Sequence, residues 1–317
     1  MICRRPPSAA PVFRGLAGVP LLLLVGCSHA PGQPPRPDAP AQESRPAATV
    51  PAAAPAATQP ARRTLLAWVE TFNEPRRLND VVDGAAAWRG VADGVIVSVG
   101  PDEVGLFRGL QDRMPGVRLI PGIKTSPILR RTGLDNPAGW ARLADAMRAA
   151  CAITGSRVIL LENESAIKDY IDGRETVDFE RLRAGLRQLP TDVELIWYPS
   201  VSGTEGTLER ATRLCREVQA VCRNVRFVDH GTLFSERSRF DGGVPRLQAA
   251  LKSAATAPPI QLIYCGERYW RLERVPEAIR LATSDTVILY PGADRWKEAS
   301  RILAATLAAD RQQRPPP

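Results

Sequence analysis

From Thr64 onward, short apolar runs alternate with longer stretches that are apolar on one face only. The runs are Leu65-Leu66-Ala67-Trp68-Val69, Gly94-Val95-Ile96-Val97-Ser98-Val99, Val117-Arg118-Leu119-Ile120 and Val158-Ile159-Leu160-Leu161. They continue with Val193-Glu194-Leu195-Ile196-Trp197-Tyr198, Val225-Arg226-Phe227-Val228, Ile260-Gln261-Leu262-Ile263-Tyr264 and Val287-Ile288-Leu289-Tyr290. β-Branched residues and leucine make these runs nearly continuous, the pattern of strands buried on both faces of a parallel sheet. Between them, Trp140, Leu143, Met147 and Cys151 recur at steps of three and four, as do Leu208, Ala211, Cys215, Val218 and Cys222. That spacing predicts helices with one buried stripe. Breaks such as Pro115-Gly116, Thr154-Gly155-Ser156, Pro190-Thr191-Asp192 and Pro258-Pro259 precede several of the strands. Eight strand–helix units in about 250 residues predict an α/β fold, a (β/α)8 TIM barrel. The competing open, doubly wound sheet carries a glycine-rich turn after its first strand. Here that turn is Glu70-Thr71-Phe72-Asn73, without glycine. A single barrel domain is therefore expected over residues 64–309, with residues 310–317 as a disordered tail.

The first 63 residues follow another pattern. Arg4, Arg5 and Arg14 precede the apolar run Gly18-Val19-Pro20-Leu21-Leu22-Leu23-Leu24-Val25, which is too short to span a bilayer and reads as a targeting signal. It ends in Leu24-Val25-Gly26-Cys27. This tetrapeptide resembles the lipobox of bacterial lipoproteins. The resemblance implies a signal peptide over residues 1–26, lipidation of Cys27 and a membrane anchor facing the periplasm or the exterior. Ser28 at the next position, where an inner-membrane retention signal would place Asp, points to the outer membrane. A plain secretory signal with an incidental cysteine is the alternative. Residues 28–63 are dominated by Pro, Ala, Gln and Ser, which cannot build a core and predict an extended linker.

The net charge of +8 weakens as evidence for an acidic partner once it is located. Seven arginines against two acids put +5 of it in residues 1–63, leaving +3 for the rest. No Lys/Arg stripe with interleaved aromatics is present, so no nucleic-acid partner is expected. Of the six cysteines, Cys3 leaves with the signal and Cys27 is taken by lipid, leaving Cys151, Cys215, Cys222 and Cys265. The helical ones fall on apolar faces and read as buried thiols. With His29 and His230 as the only histidines and no CxxC pair, no Cys/His zinc site and no cofactor are expected.

In a barrel of this kind the chemistry sits at the C-terminal ends of the strands. Those ends carry Glu70, Ser98, Lys124, Glu162-Asn163-Glu164, Tyr198, Asp229-His230, Tyr264 to Trp270 and Tyr290. Carboxylate pairs serve glycoside hydrolysis, and aromatic faces stack on sugar rings. Strand four with Glu162-Asn163-Glu164 resembles that of the retaining glycoside hydrolases of clan A. In that clan an Asn-Glu pair ends strand four and a Glu ends strand seven. The resemblance implies Glu164, paired with Asn163, as acid/base and Glu267 as nucleophile. The rim itself offers Asn163, Tyr198, Tyr264 and Trp270 as substrate contacts, and His230 as either a substrate contact or a loop cap. It covers the strand layout and a few residues. Ser165 follows the strand-four Glu where many members have Pro, and the Arg often found on strand two has no counterpart.

Glu162 competes with Glu164, since both fall on one side if the strand continues. Lys124 reads as a buried counter-ion in preference to a Schiff-base amine. Three functions follow from these residues. The first is a retaining glycosidase of the cell envelope. The second is a non-catalytic barrel that binds glycan or another envelope ligand. The third is a hydrolase assisted by a hard divalent metal at Glu162, Asp229, His230 and Glu267.

Overall fold

The computed structural model describes residues 63–70, 75–199, 205–229, 231, 233, 235–236, 259–292 and 295–312. The expected signal, Cys27 and the linker lie outside them. Eight strands run β1 (Thr64–Glu70), β2 (Gly94–Val99), β3 (Leu119–Lys124), β4 (Val158–Glu162), β5 (Glu194–Tyr198), β6 (Val225–Asp229), β7 (Ile260–Tyr264) and β8 (Thr286–Tyr290). All neighbours pair in parallel, and β1 pairs with β8 to close the ring. The described helices are α1 (Pro75–Ala87), α2 (Leu106–Arg113), α3 (Ser126–Thr132), α4 (Pro137–Thr154), α5 (Glu164–Ile171), α6 (Phe179–Leu186), α7 (Glu205–Val221), α8 (Val275–Leu281) and α9 (Trp296–Gln312). The expected (β/α)8 barrel is the observed fold, and its last helix runs past the expected end to Gln312.

Strand alternation sorts the core into two layers. Leu66, Trp68, Ile96, Ile120, Leu160, Ile196, Tyr198, Val228, Ile260, Leu262 and Ile288 point inward and fill the ring. Their neighbours, among them Ala67, Val95, Val97, Ile159, Leu161, Trp197 and Phe227, point outward and pack under the helices. This is why the strands read as continuous apolar runs: both faces are dry. In the outer layer Trp140 of α4 stacks on Trp197 of β5 at 5.8 Å between ring centroids. The ring lies against α6 at Gly185, where an added Cβ would stand 2.4 Å from Trp140 Cδ1.

The third strand begins at Leu119, two residues into the apolar run Val117-Arg118-Leu119-Ile120, and its pairing continues through Pro121 and Gly122 to Lys124, where the strand end was expected. An added Cβ on Gly122 would stand 2.4 Å from Ser98 Oγ, so β2 and β3 approach too closely here for any larger residue. Gly122 is thus a tight packing position inside the strand. Extending β3 carries Lys124 to the top of the ring.

Cys151, Cys215, Cys222 and Cys265 are free thiols. Cys215 and Cys265 are buried, as the apolar helix face predicted for Cys215.

Candidate active site

The inward positions change character toward the C-terminal end of the ring. Below lie Ile96, Ile120, Leu160, Ile196 and Leu262. Above them strand parity places Glu70, Ser98, Lys124, Glu162, Tyr198, Tyr264 and Tyr290. Register fixes who stands beside whom. Lys124 is the Cα partner of Glu162, Glu162 of Tyr198, and Tyr264 of Tyr290.

These side chains are tied to one another. Lys124 Nζ lies 3.5 Å from Glu70 Oε2, with each side chain 16% exposed. Tyr290 donates its hydroxyl to the other oxygen of Glu70 at 3.1 Å. The Tyr198 and Tyr264 hydroxyls are 2.6 Å apart. Trp68 Nε1 donates to Ser98 Oγ at 2.8 Å. Its ring stands 4.8 Å from that of Tyr290 and 5.4 Å from that of Tyr198, and Tyr264 meets Tyr290 edge to face at 5.5 Å. Burial, then the charge and hydrogen bond of Glu70, then the charge of Glu162, push the Tyr290 phenol far above its ordinary value. Tyr290 therefore stays a hydrogen-bond donor at any physiological pH. Glu162 stands beside this group as the register partner of both Lys124 and Tyr198.

The end of β4 is fixed by its neighbour. Thr125, fully buried, gives both its backbone N–H and its hydroxyl to the Glu162 carbonyl, each at 3.1 Å. Asn163 follows, and its carbonyl accepts from the N–H groups of Ala166 and Ile167, so the chain has already entered α5. The strand alternation that puts Glu162 inward therefore stops at Glu162. It does not extend to Glu164, the first residue of the helix.

The expected contact residues fall in different places. Tyr264 is partly exposed at the mouth, whereas Tyr198 is 1% exposed and packs within the ring core. Asn163 is fully buried, with Nδ2 donating to the Leu161 carbonyl at 3.2 Å. Glu267 lies on the loop after β7, is 85% exposed and pairs with Arg295 at 3.2 Å. Trp270 is only 6% exposed and belongs to the outer core, its indole N–H donating to the Leu233 carbonyl at 3.0 Å. The loop turns back at Gly266, whose φ of +141° favours glycine, and Gly266 N–H meets the Trp270 carbonyl at 2.8 Å. Trp270 is thus a packing residue and not a face of the mouth. The Glu164 side chain and His230 lie outside what the structure describes.

The chain's likenesses to known proteins are of fold. No family model and no curated protein sequence matches it. An endo-β-N-acetylglucosaminidase from Cordyceps militaris is similar at 14% identity and a TM-score of 0.42, over 78% of this chain and 91% of that one. The spore cortex-lytic enzyme SleL of Bacillus cereus is similar at 14% identity and a TM-score of 0.41, over 64% of this chain and 51% of that one. An orotidine 5'-monophosphate decarboxylase from Methanocaldococcus jannaschii is similar at 12% identity and a TM-score of 0.43, over 77% of this chain and 98% of that one. Barrels with unrelated chemistry stand side by side here, so function has to be argued from the site.

Glu70 and Tyr290 stand at strand ends named from the sequence, but their pairing with each other was not expected. As single residues they carry no motif. Parity, counted back from Trp68 and Ile288, is the signal that turns both into the ring.

Proposed function

We propose that this chain is a glycan-acting barrel of the bacterial cell envelope, binding its sugar in the C-terminal mouth. One observation carries the reading. The aliphatic ring interior gives way, in its top layer, to two carboxylates, a lysine and a wall of tyrosines around Trp68. Carboxylates accept the hydroxyls of a sugar, and the partly exposed Tyr264 and Tyr290 can cover its C–H surface, so the lining fits a polyhydroxylated ring. In the catalytic form of this reading Glu164 is the acid/base and Glu267 the nucleophile. The two then flank the scissile bond from opposite sides of the mouth, about 5–5.5 Å apart in a retaining enzyme. A screen of β-linked glycans is expected to show hydrolysis that disappears in Glu164→Gln and in Glu267→Gln.

A second reading has its own support. At 85% exposure and paired with Arg295, Glu267 stands in water on a loop, unlike a carboxylate held against a substrate. A non-catalytic barrel that binds glycan is then expected to show binding without turnover, unaffected by either substitution. Envelope placement rests on Leu24-Val25-Gly26-Cys27. Lipidated at Cys27, the chain fractionates with membranes, and Cys27→Ser releases it or leaves it unprocessed. Membrane-bound, mature protein in that variant would refute the anchor.

A further inference from the structure

We infer that the N-terminal end of the barrel docks on an anionic phospholipid surface, with a lipid phosphate held between Arg187 and Arg223. The inference is independent of what the mouth binds. The observation is an arc of arginines under four consecutive strands of the ring. Arg118 and Arg157 directly precede β3 and β4, Arg187 follows α6 on the way to β5, and Arg223 stands two residues before β6. All four are exposed. Among the described residues no carboxylate forms an ion pair with any of them. Arginines on the flanks are neutralised instead: Arg142 by Asp102, Arg174 by Asp169 and Asp172, and Arg280 by Asp310. Within the four connections the acid is Asp192.

Helix capping does not account for the arc. Helices of such a barrel end on this face with unsatisfied carbonyls, where cations are favoured. Arg63, Arg89 and Arg311 serve that need. They donate to the carbonyls of Ile279 and Ala282, of Pro115, and of Gly90 and Val91. The four arginines of the arc make no such side-chain bond among the described residues. Their backbones are nevertheless fixed. The Arg118 carbonyl accepts from Val95 N–H at 2.9 Å, and that of Arg157 from Glu194 N–H at 2.7 Å. Arg187 N–H closes the end of α6 on the Arg183 carbonyl at 3.1 Å.

Guanidinium groups bind phosphate through paired N–H donors. Arg187 and Arg223 line one cleft of about 310 Å³, and the partly exposed Pro190, Val221 and Cys222 form its apolar wall. Cations beside an apolar wall fit an amphiphile. A single-stranded nucleic acid would call for faces on which bases stack, and no aromatic lines the cleft. The chain also enters the barrel at this end, since β1 starts at Thr64. Docked in this way, the barrel opens its mouth away from the lipid, because the mouth lies at the other ends of the strands.

The test uses the full-length chain carrying Cys3→Ser and Cys27→Ser, which takes no lipid, so it is also separate from the anchor. Binding is read by co-sedimentation with vesicles of phosphatidylcholine alone or with about 30% phosphatidylglycerol, in about 0.1 M salt. The anionic vesicles are expected to bind at least about tenfold more tightly, since each basic side chain at such a surface adds about fivefold. Leader and linker are common to every variant, so differences report the barrel. Arg187→Gln with Arg223→Gln should cost at least about tenfold on anionic vesicles. Arg142→Gln with Arg174→Gln removes the same charge from the flank and should cost less than about twofold. A fluorescent label on Thr191→Cys should be quenched by a nitroxide on the lipid headgroup, and one on Asp102→Cys, at the C-terminal end, should not. Equal binding to neutral and anionic vesicles, equal loss in the two double variants, or stronger quenching at Asp102→Cys would overturn the inference. Arginine-dependent binding to DNA without binding to vesicles would overturn it as well.

Discussion

Replacing Lys124 with Met removes the ammonium and keeps most of the side chain's bulk, so it isolates the charge on which the mouth is built. At 3.5 Å from Glu70 and an effective dielectric constant near 20, the direct attraction amounts to about 5 kcal/mol before desolvation and ordering are subtracted. Removing one partner of a fully buried pair costs about 3–5 kcal/mol, because the survivor is left charged and uncompensated. Each side chain here keeps 16% of its surface in contact with solvent, so the expected loss is smaller, about 2–3 kcal/mol. In a domain of this size that corresponds to a fall in Tm of about 4–12 °C. Equilibrium urea unfolding of the full-length chain measures it as a lowered midpoint with unchanged slope. The decisive comparison is the double variant with Glu70→Gln, which removes the charge that loss of this ion pair strands and keeps an acceptor for Tyr290. It should recover at least half of the loss, a coupling energy of about 1–2 kcal/mol. If Lys124→Met unfolds within about 0.5 kcal/mol of the wild type, or if the two substitutions simply add, the pair does not organise the mouth and the reasoning fails.

Two other outcomes are expected. Gly185→Ala gains helix propensity but drives a Cβ to 2.4 Å from the Trp140 ring, so thermal unfolding should show net destabilisation of about 1–2 kcal/mol; a stabilised variant would show that the ring shifts freely. Burial pushes the Cys151 and Cys222 thiols up to about 11 each and raises Cys215 and Cys265 further. All four should resist alkylation at neutral pH in the native state and react together once the chain unfolds, whereas fast native labelling of Cys215 would contradict its burial.

Much of the architecture was legible because a parallel barrel buries both faces of every strand. Val158-Ile159-Leu160-Leu161 and Val287-Ile288-Leu289-Tyr290 have no polar alternation to confuse them with surface strands. The need for glycine at Gly122 was not legible, because the close approach of Ser98 exists only once β2 is in place. The site was legible as a rim and not as an arrangement. Glu162 and Glu164 share a side only if the strand continues, and the turn at Asn163 ends it. Trp270 lies close in sequence to the end of β7 and looked like a mouth aromatic, but the reversal at Gly266 folds it under the outer layer. Glu70, Lys124 and Tyr290 come from β1, β3 and β8, so only closure of the ring makes them neighbours.

The aliphatic layer beneath those groups has a kinetic consequence. Ile96, Ile120, Leu160, Ile196 and Leu262 fill the ring from inside, so among the described residues no path leads along the barrel axis away from the C-terminal end. A ligand bound there has to leave by the end at which it entered. If the mouth turns over a glycan, a fragment that stays bound blocks the next chain until it departs. Product should then compete directly with substrate, and turnover should be paced by departure as much as by bond breaking.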